Sequence, residues 1–477
     1  MGQLKKNIIY QTIYQILAIL LPLITTPLVT RGLGADGLGK YSYTYAIISY
    51  FSIFALLSVN SYGTREISKV KASGDKRTLS KTFCSIYSLQ IICSLFVIIT
   101  YYICALFVFD QYKILFLIQG IHLFGVLFDV SWFYFGLEQF KVTVTRNIVV
   151  KIISATIIIL FIKSPKDLYL YAIALIASNL VSNAILLIGT RKYVDYVKVS
   201  IKDISIHIKP NLILFIPVVA ASIFNYTDKI MIGGISGTIQ SGYYEAMDKI
   251  VNVPMACVSA IANVMFPRIS ALIKTENNRK KIDQYVGMSL MGVIWFDIAC
   301  IFGMFGVATE FVPLFLGKDF VPAIVVVELG CLILLPKSFR IIINSECLLP
   351  NEKDKGTMIS IILAAITNVI VNYLLIPIFG AKGAIFATII SEFVCCIAMI
   401  FVAGKLLHIK KVMLSIIPLF IFGVLSYQSI KNIFACFKIN NNILLMCIEI
   451  VGGGLVYIIL TGIYYILVLR KFRRMKK

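Results

Sequence analysis

This 477-residue chain is 59% hydrophobic and only 14% charged, with a mean hydropathy of +0.90 and a formal net charge of +22. Soluble domains carry about 25% charged residues, so this composition excludes a soluble globule. Eleven cysteines and three histidines form no CxxC or Cys/His cluster, which argues against a disulfide scaffold and offers no metal signature.

The first apolar stretch, 7–30, is too long for a signal-peptide core and lacks a small-residue cleavage site, so it reads as a first span. Hydropathy then predicts spans at 40–60, 83–109, 113–136, 145–163, 168–189, 211–233, 242–266, 284–306, 320–345, 357–378, 382–404, 411–430 and 443–469. Each can cross a hydrocarbon core of about 30 Å. The expected class is an all-α polytopic membrane protein with about fourteen transmembrane helices.

With the N-terminus in the cytoplasm, the segments on that side hold 32 Lys and Arg. They run from Lys5 and Lys6 through "REISKVKASGDKRTLSK" to the tail "RKFRRMKK", and the opposite side holds 9. This bias predicts both termini inside a cytoplasmic membrane and explains the net charge without nucleic acid. With Arg146 and Lys151 counted among the cytoplasmic charges and span-end lysines counted with their loops, four basic residues then stand within spans: Lys229, Lys249, Lys337 and Arg340.

A repeat is visible. "RGLGADGLGKYSYTYAI" from Arg31 and "IGGISGTIQSGYYEAMDKI" from Ile232 are both glycine-rich turns that feed a helix opening Gly-x-Tyr. A basic loop opening with Arg and Ile-Ser comes later in each half, at Arg65 and at Arg268. Six spans separate the landmarks, so the halves share one orientation, as in transporters built from parallel repeats. The expected organisation is a six-helix lobe at 1–190, a cytoplasmic linker at 191–210, a second lobe at 211–404, and two further helices with a basic tail at 405–477.

Charges within spans cost about 2.5–3.5 kcal/mol each on insertion scales and usually face a bundle interior or an aqueous cavity. Glu245, Asp248, Lys249 and Asn252 fall at i, i+3, i+4 and i+7, one helical stripe. Asn225 and Lys229 are four apart with Asp228 beside them, and Lys337, Arg340 and Asn344 adopt i, i+3, i+7 spacing after Pro336. One reading is structural: lysines snorkel to headgroups, Arg31 and Arg340 anchor at interfaces, and acids pair with bases as glue between helices. The repeat favours another. A shift of 203 residues carries Asp228 and Lys229 onto Thr25 and Thr26, and Glu245, Asp248 and Lys249 onto Ser42, Tyr45 and Ala46. The first half builds the same helix pair without charge, so the fold does not demand it. Bases inside a bundle suit an anion that must cross, with acids holding them between transport events. Arg31 then faces the same region. Lesser polar features are the Asn7, Gln11, Gln15 stripe, a shared face of Gln119, His122 and Asp129, and a solitary Asp297.

The blocks "LPLITTPLVTRGLGADGLGKYSYTYAIISYF", "FYFGLEQFKVTVTRNIVVKI", "NYTDKIMIGGISGTIQSGYYEAMDKI" and "VMFPRIS" together resemble the Wzx-type polysaccharide repeat-unit flippases. These belong to the multidrug, oligosaccharidyl-lipid and polysaccharide exporter superfamily. The resemblance implies two six-helix lobes plus two extra helices, working by alternating access. It implies an undecaprenyl-diphosphate oligosaccharide substrate flipped to the outer leaflet for capsule-like or O-antigen-like surface glycan. It implies neighbours that are glycosyltransferases and a polysaccharide polymerase, no cofactor, and no catalytic residues. A lipid II flippase or a cation-coupled drug exporter of the same superfamily is the alternative. A membrane polymerase is more remote, because no long external loop, DxD motif or His cluster is present.

Overall fold

A computed structural model describes the backbone of residues 2–72, 74–275, 279–407, 410–432 and 442–475. Side chains are described for 20–72, 74–273, 279–404, 406–407, 412–432 and 443–466. The Asn7, Gln11, Gln15 stripe, Lys5, Lys6 and the basic tail lie outside the described side chains. The described residues contain no strand and divide into two compact units, Met1–Glu245 and Ala246–Lys477.

The first unit comprises α1 (Gly2–Leu56), α2 (Val59–Lys71), α3 (Lys76–Phe107), α4 (Lys113–Leu127), α5 (Ser131–Gly136) and α6 (Phe140–Phe161). It continues with α7 (Leu168–Gly189), α8 (Ile201–Ser205), α9 (Ile208–Ser222) and α10 (Asp228–Ile235), and includes the start of α11 (Thr238–Thr275). The second unit holds the rest of α11, then α12 (Arg279–Leu316), α13 (Ile324–Cys331), α14 (Leu334–Ile342) and α15 (Asp354–Phe379). It closes with α16 (Ala381–Ala403), α17 (Lys410–Asn432) and α18 (Asn442–Met475).

Thirteen stretches of the described residues are long and apolar enough to cross a membrane. The first, Leu20–Lys71, has 52 residues. At about 1.5 Å per residue it is more than twice as long as one crossing requires. It bends at Gly34, whose φ of 68° and ψ of 179° are open to a residue without Cβ. Two of the expected spans are therefore joined in one stretch, and thirteen matches about fourteen. Phe107 and Phe401, 78% and 81% exposed, belong to apolar outer faces that suit lipid rather than water.

In the first unit Phe83, Trp132, Phe133 and Tyr134 form an aromatic core between α3 and α5. Polar groups in that core are satisfied from within, as buried polar groups must be. Trp132 Nε1 donates to Gln90 Oε1 (3.0 Å), and Gln90 Nε2 donates to the carbonyls of Val126 (3.0 Å) and Asp129 (2.9 Å). The Asp75 carboxylate accepts from the amides of Arg77 and Thr78 and fixes the start of α3. In the second unit α12 packs against α17 and α18. Tyr457 there donates to the Trp295 carbonyl (3.1 Å), and Trp295 Nε1 to Thr461 Oγ1 (3.2 Å).

Three expected spans depart from regular helix. The stretch 113–136 breaks between α4 and α5, and Asp129 sits in the break, accepting from the Ser131 amide (3.0 Å). Asp129 thus holds the turn that leads into α5 instead of sharing a helix face with Gln119 and His122. The span at 211–233 passes through a π-helical turn, Ile223–Thr227, just before Asp228. The span at 320–345 is divided into α13, α14 and a second π turn, Ile343–Leu348. A π turn inserts an extra residue and so rotates the faces of the helix beyond it, and such turns are frequent at functional sites.

Candidate functional site

In the first unit the charges gather where α10 and the start of α11 meet α1. Lys229 Nζ lies 2.7 Å from Glu245 Oε2, and the same oxygen accepts from Ser42 Oγ at 2.8 Å. Both charged side chains are largely withdrawn from solvent, 16% exposed for Lys229 and 14% for Glu245. Desolvation strengthens their attraction and makes an orphaned partner costly. Asp228 is 1% exposed and accepts from the Tyr244 hydroxyl at 2.6 Å.

Sequence neighbours on a helix point about 100° apart. Asp228 and Lys229 therefore turn to different surroundings, and Lys229 meets the acid on α11. Asn225, inside the π turn, is exposed. The Tyr50 and Thr227 hydroxyls share a 2.5 Å hydrogen bond, and the rings of Tyr50 and Tyr226 meet edge to face. Tyr45 stacks on Tyr41 with centroids 5.5 Å apart. Arg31 is exposed on α1, three residues before the Gly34 bend.

The crossing of α1 and α11 is unusually close. A Cβ built on Gly39 would lie 1.7 Å from the Thr238 carbonyl oxygen, and one on Gly242 would lie 2.0 Å from that of Ala35. Only glycine permits these backbones to approach so near. Thr238 Oγ1 donates to Asp36 Oδ1 (2.6 Å) beside the crossing, and Lys40 pairs with Asp36 at 2.5 Å.

In the second unit Arg340 on α14 pairs with Glu392 on α16. Nε meets Oε2 at 2.5 Å and the second nitrogen meets Oε1 at 3.1 Å, a two-pronged contact. Glu392 is 2% exposed and Arg340 23%. Lys337 is half-buried on α14, and Asn344 in the π turn accepts from Thr357 Oγ1 (3.1 Å). Farther along α11, Lys249 is half-buried and Asn252 donates to Asp248 Oδ1 (3.1 Å). A cavity of about 1390 Å³ opens between α12, α17 and α18. Met288, Met291, Trp295, Leu419 and Ile458 line it, and Lys280 and Asp283 stand among its few charges.

Several further polar groups lie inside the described helices where helical spacing in the sequence does not single them out. Glu392 is a lone acid in a span, the signal that should have flagged it. Arg146 was grouped with the loop charges but lies within α6, where it donates to Asn183 Oδ1 (2.9 Å) and the Ser182 carbonyl (3.3 Å). Glu346, placed just beyond a span by hydropathy, is fully buried in the second π turn. Among the described residues, neither oxygen of Glu346 or of the buried Asp297 has a hydrogen-bond partner.

The family described as "Polysaccharide biosynthesis protein" matches residues 4–273. A Shigella dysenteriae protein assigned as an O-antigen transporter is 24% identical over 408 residues, covering 83% of this chain and 99% of that protein. An Escherichia coli K12 protein with the same assignment is 22% identical, with 82% and 94% covered. Among solved structures, the lipid II flippase MurJ in an inward closed conformation superposes with a TM-score of 0.78 at 15% identity, over 97% of this chain and 100% of that one. An inward-facing multidrug resistance MATE family transporter of the MOP superfamily gives 0.61 at 13% identity, over 89% and 98%. At these identities the two structures speak for the fold alone.

Proposed function

Since this chain belongs to the polysaccharide biosynthesis protein family and is a multi-pass membrane protein, we propose that it flips lipid-linked oligosaccharides. The substrate is an undecaprenyl-diphosphate oligosaccharide repeat unit, moved from the inner to the outer leaflet of the cytoplasmic membrane. Glycosyltransferases must supply it on the inner face, and a polymerase consumes it on the outer face. Both termini stand in the cytoplasm, in keeping with the 32 to 9 distribution of Lys and Arg. On this reading the repeat divides the chain into lobes 1–190 and 211–404 about the linker 191–210, with 405–477 as an appendage.

The observation that carries the proposal is Lys229 held by Glu245 in a desolvated site, where the first repeat has only Thr26 and Ser42. A neutral cargo would not need that base, and a cationic one would be repelled by it. A diphosphate can take the lysine from its carboxylate, exchanging one charge-assisted contact for another. Lys249, Lys337, Arg340 and Arg31 supply further basic steps, with Asn225, Asp228, Asp248, Asn252 and Asn344 as polar partners. The apolar cavity beside α12, α17 and α18 suits an isoprenoid chain by its lining.

The deciding experiment removes the gene and monitors both lipid carriers. Surface glycan should disappear while its lipid-linked repeat unit accumulates on the inner leaflet, and the intact chain should reverse both. Normal surface glycan with arrested peptidoglycan synthesis would instead assign lipid II as the cargo.

A further inference from the structure

His207, in the connector 191–210 just before α9, is buried and tied to two helices of the first unit. Its Nδ1 lies 2.7 Å from the Tyr62 hydroxyl on α2, and its Nε2 lies 2.8 Å from Ser85 Oγ on α3. One helical turn along, the Ser58 amide donates to Asn211 Oδ1 (3.0 Å) and Ser58 Oγ to the Asn211 carbonyl (2.6 Å). A turn the other way, Lys81 on α3 pairs with Asp203 on α8 at 2.7 Å. Proton accounting fixes the state of the ring. Ser85 Oγ donates to the Thr82 carbonyl (3.0 Å), so it accepts from Nε2–H. Nδ1 is then bare and accepts from the Tyr62 hydroxyl, whose proton has no other acceptor among the described residues. The site fits a neutral imidazole. An imidazolium would set Nδ1–H against Tyr62 and orphan the phenol proton in a buried place. No spare carboxylate would compensate it. Glu66 on α2 is shared by Arg65 (3.5 Å) and Lys69 (2.9 Å), and Asp203 is held by Lys81. Lys202 and Lys209 add positive charge, and α1 carries no described charge beyond Lys40. Burial pushes the imidazole below its ordinary range, outweighing the pull of Glu66 and Asp203.

We propose that His207 is a proton-operated latch that holds the start of α9 to α2 and α3. Docked, the ring is neutral; released into water, it takes a proton. Docking therefore has its full stability above the ordinary histidine pKa of about 6.5. Below that it weakens, by up to about ten-fold per pH unit, the limit for one linked proton. The Ser58–Asn211 and Lys81–Asp203 contacts set how firmly the connector sits. Neither titrates in this range, so they leave that slope unchanged. Glu66 ionises below the range, and the Cys84 thiol and Tyr62 phenol ionise above it. From its docked start α9 runs through the π turn to α10 and Lys229. The latch thus gives the helix that leads to this base a pH-dependent anchor, whatever the cargo.

The test uses the full-length chain in lipid nanodiscs, with its native cysteines replaced and Ser58→Cys as reporter at a position 3% exposed. The rate at which N-ethylmaleimide modifies that thiol reports how often the start of α9 undocks. His207→Gln is the reference. Its amide oxygen can accept from Tyr62 and its amide nitrogen can donate to Ser85, so it reproduces the neutral ring without a titrating proton. Both chains carry the same reporter, so the ionisation of the thiol and its effect on docking cancel in the ratio of the two rates. That ratio, His207 over Gln, should be level above about pH 6.5 and rise by up to about ten-fold per unit below it. A ratio that stays level from about pH 7.5 down to about 5.5 would overturn the latch. Should His207→Gln fail to fold, the native ring decides. With His122→Gln and His408→Gln leaving one imidazole, its nitrogen NMR spectrum should show a neutral Nε2–H ring at about pH 6, where an ordinary histidine is mostly charged. An imidazolium, or a neutral ring protonated at Nδ1, would overturn the latch. Neither readout involves cargo, so failure here leaves the flippase reading standing, and failure of that reading leaves the latch.

Discussion

Replacing Lys229 by Met removes the cation that lies 2.7 Å from the Glu245 carboxylate, in a site only 14% exposed. Breaking a buried pair in this way costs about 3–5 kcal/mol, enough to lower the amount of folded protein in the membrane. If the lysine also meets the diphosphate in the rate-limiting state, its loss removes a contact worth about 1.5–3 kcal/mol. At about 1.4 kcal/mol per factor of ten, export should slow at least ten-fold. The two effects part company in the double variant Lys229→Met with Glu245→Gln, which removes both charges together. Abundance, measured by immunoblotting and by thermal aggregation of detergent-solubilised protein, should return to the parental level. Surface glycan, measured by pulse labelling, should not. Recovery of export along with abundance would refute the reasoning, because the pair would then be glue between α10 and α11.

The corresponding pair in the second unit gives a contrasting expectation: Arg340→Ala should destabilise by about 3–5 kcal/mol, since Glu392 is only 2% exposed, and Arg340→Ala with Glu392→Ala should recover abundance. Lys337→Ala should weaken capture of the lipid diphosphate, and Lys337→Arg, which keeps the charge, should be milder; equal losses at normal abundance would assign Lys337 to packing. Cysteines introduced in 61–82 should resist an external maleimide in intact cells while one near Ser236 reacts, and the reverse pattern would invert the proposed topology. Asp75→Ala should remove the cap on α3, seen as a slightly lower midpoint of thermal aggregation with export intact.

The sequence by itself determined the membrane class, the positions of the crossings and the 203-residue register. Each of these is a local property: hydropathy over about 20 residues selects the spans, and glycines mark places where backbones bend or approach closely. Gly39 and Gly242, noticed only as landmarks of the repeat, prove to be the two residues that meet at the crossing. The tertiary structure alone decided the partners of the charges. Spacing offered Asp228 as the companion of Lys229, yet successive residues diverge on a helix, and the acid at contact distance is Glu245 on another helix. Arg340 finds Glu392 at a sequence distance of 52, across two helices that no periodicity relates. The face rule also failed where its premise did. It assumes 3.6 residues per turn, whereas Asn225 and Asn344 lie in π turns and Asp129 in a break between helices. Burial and helix-to-helix packing, which hydropathy cannot order, set which side chains meet.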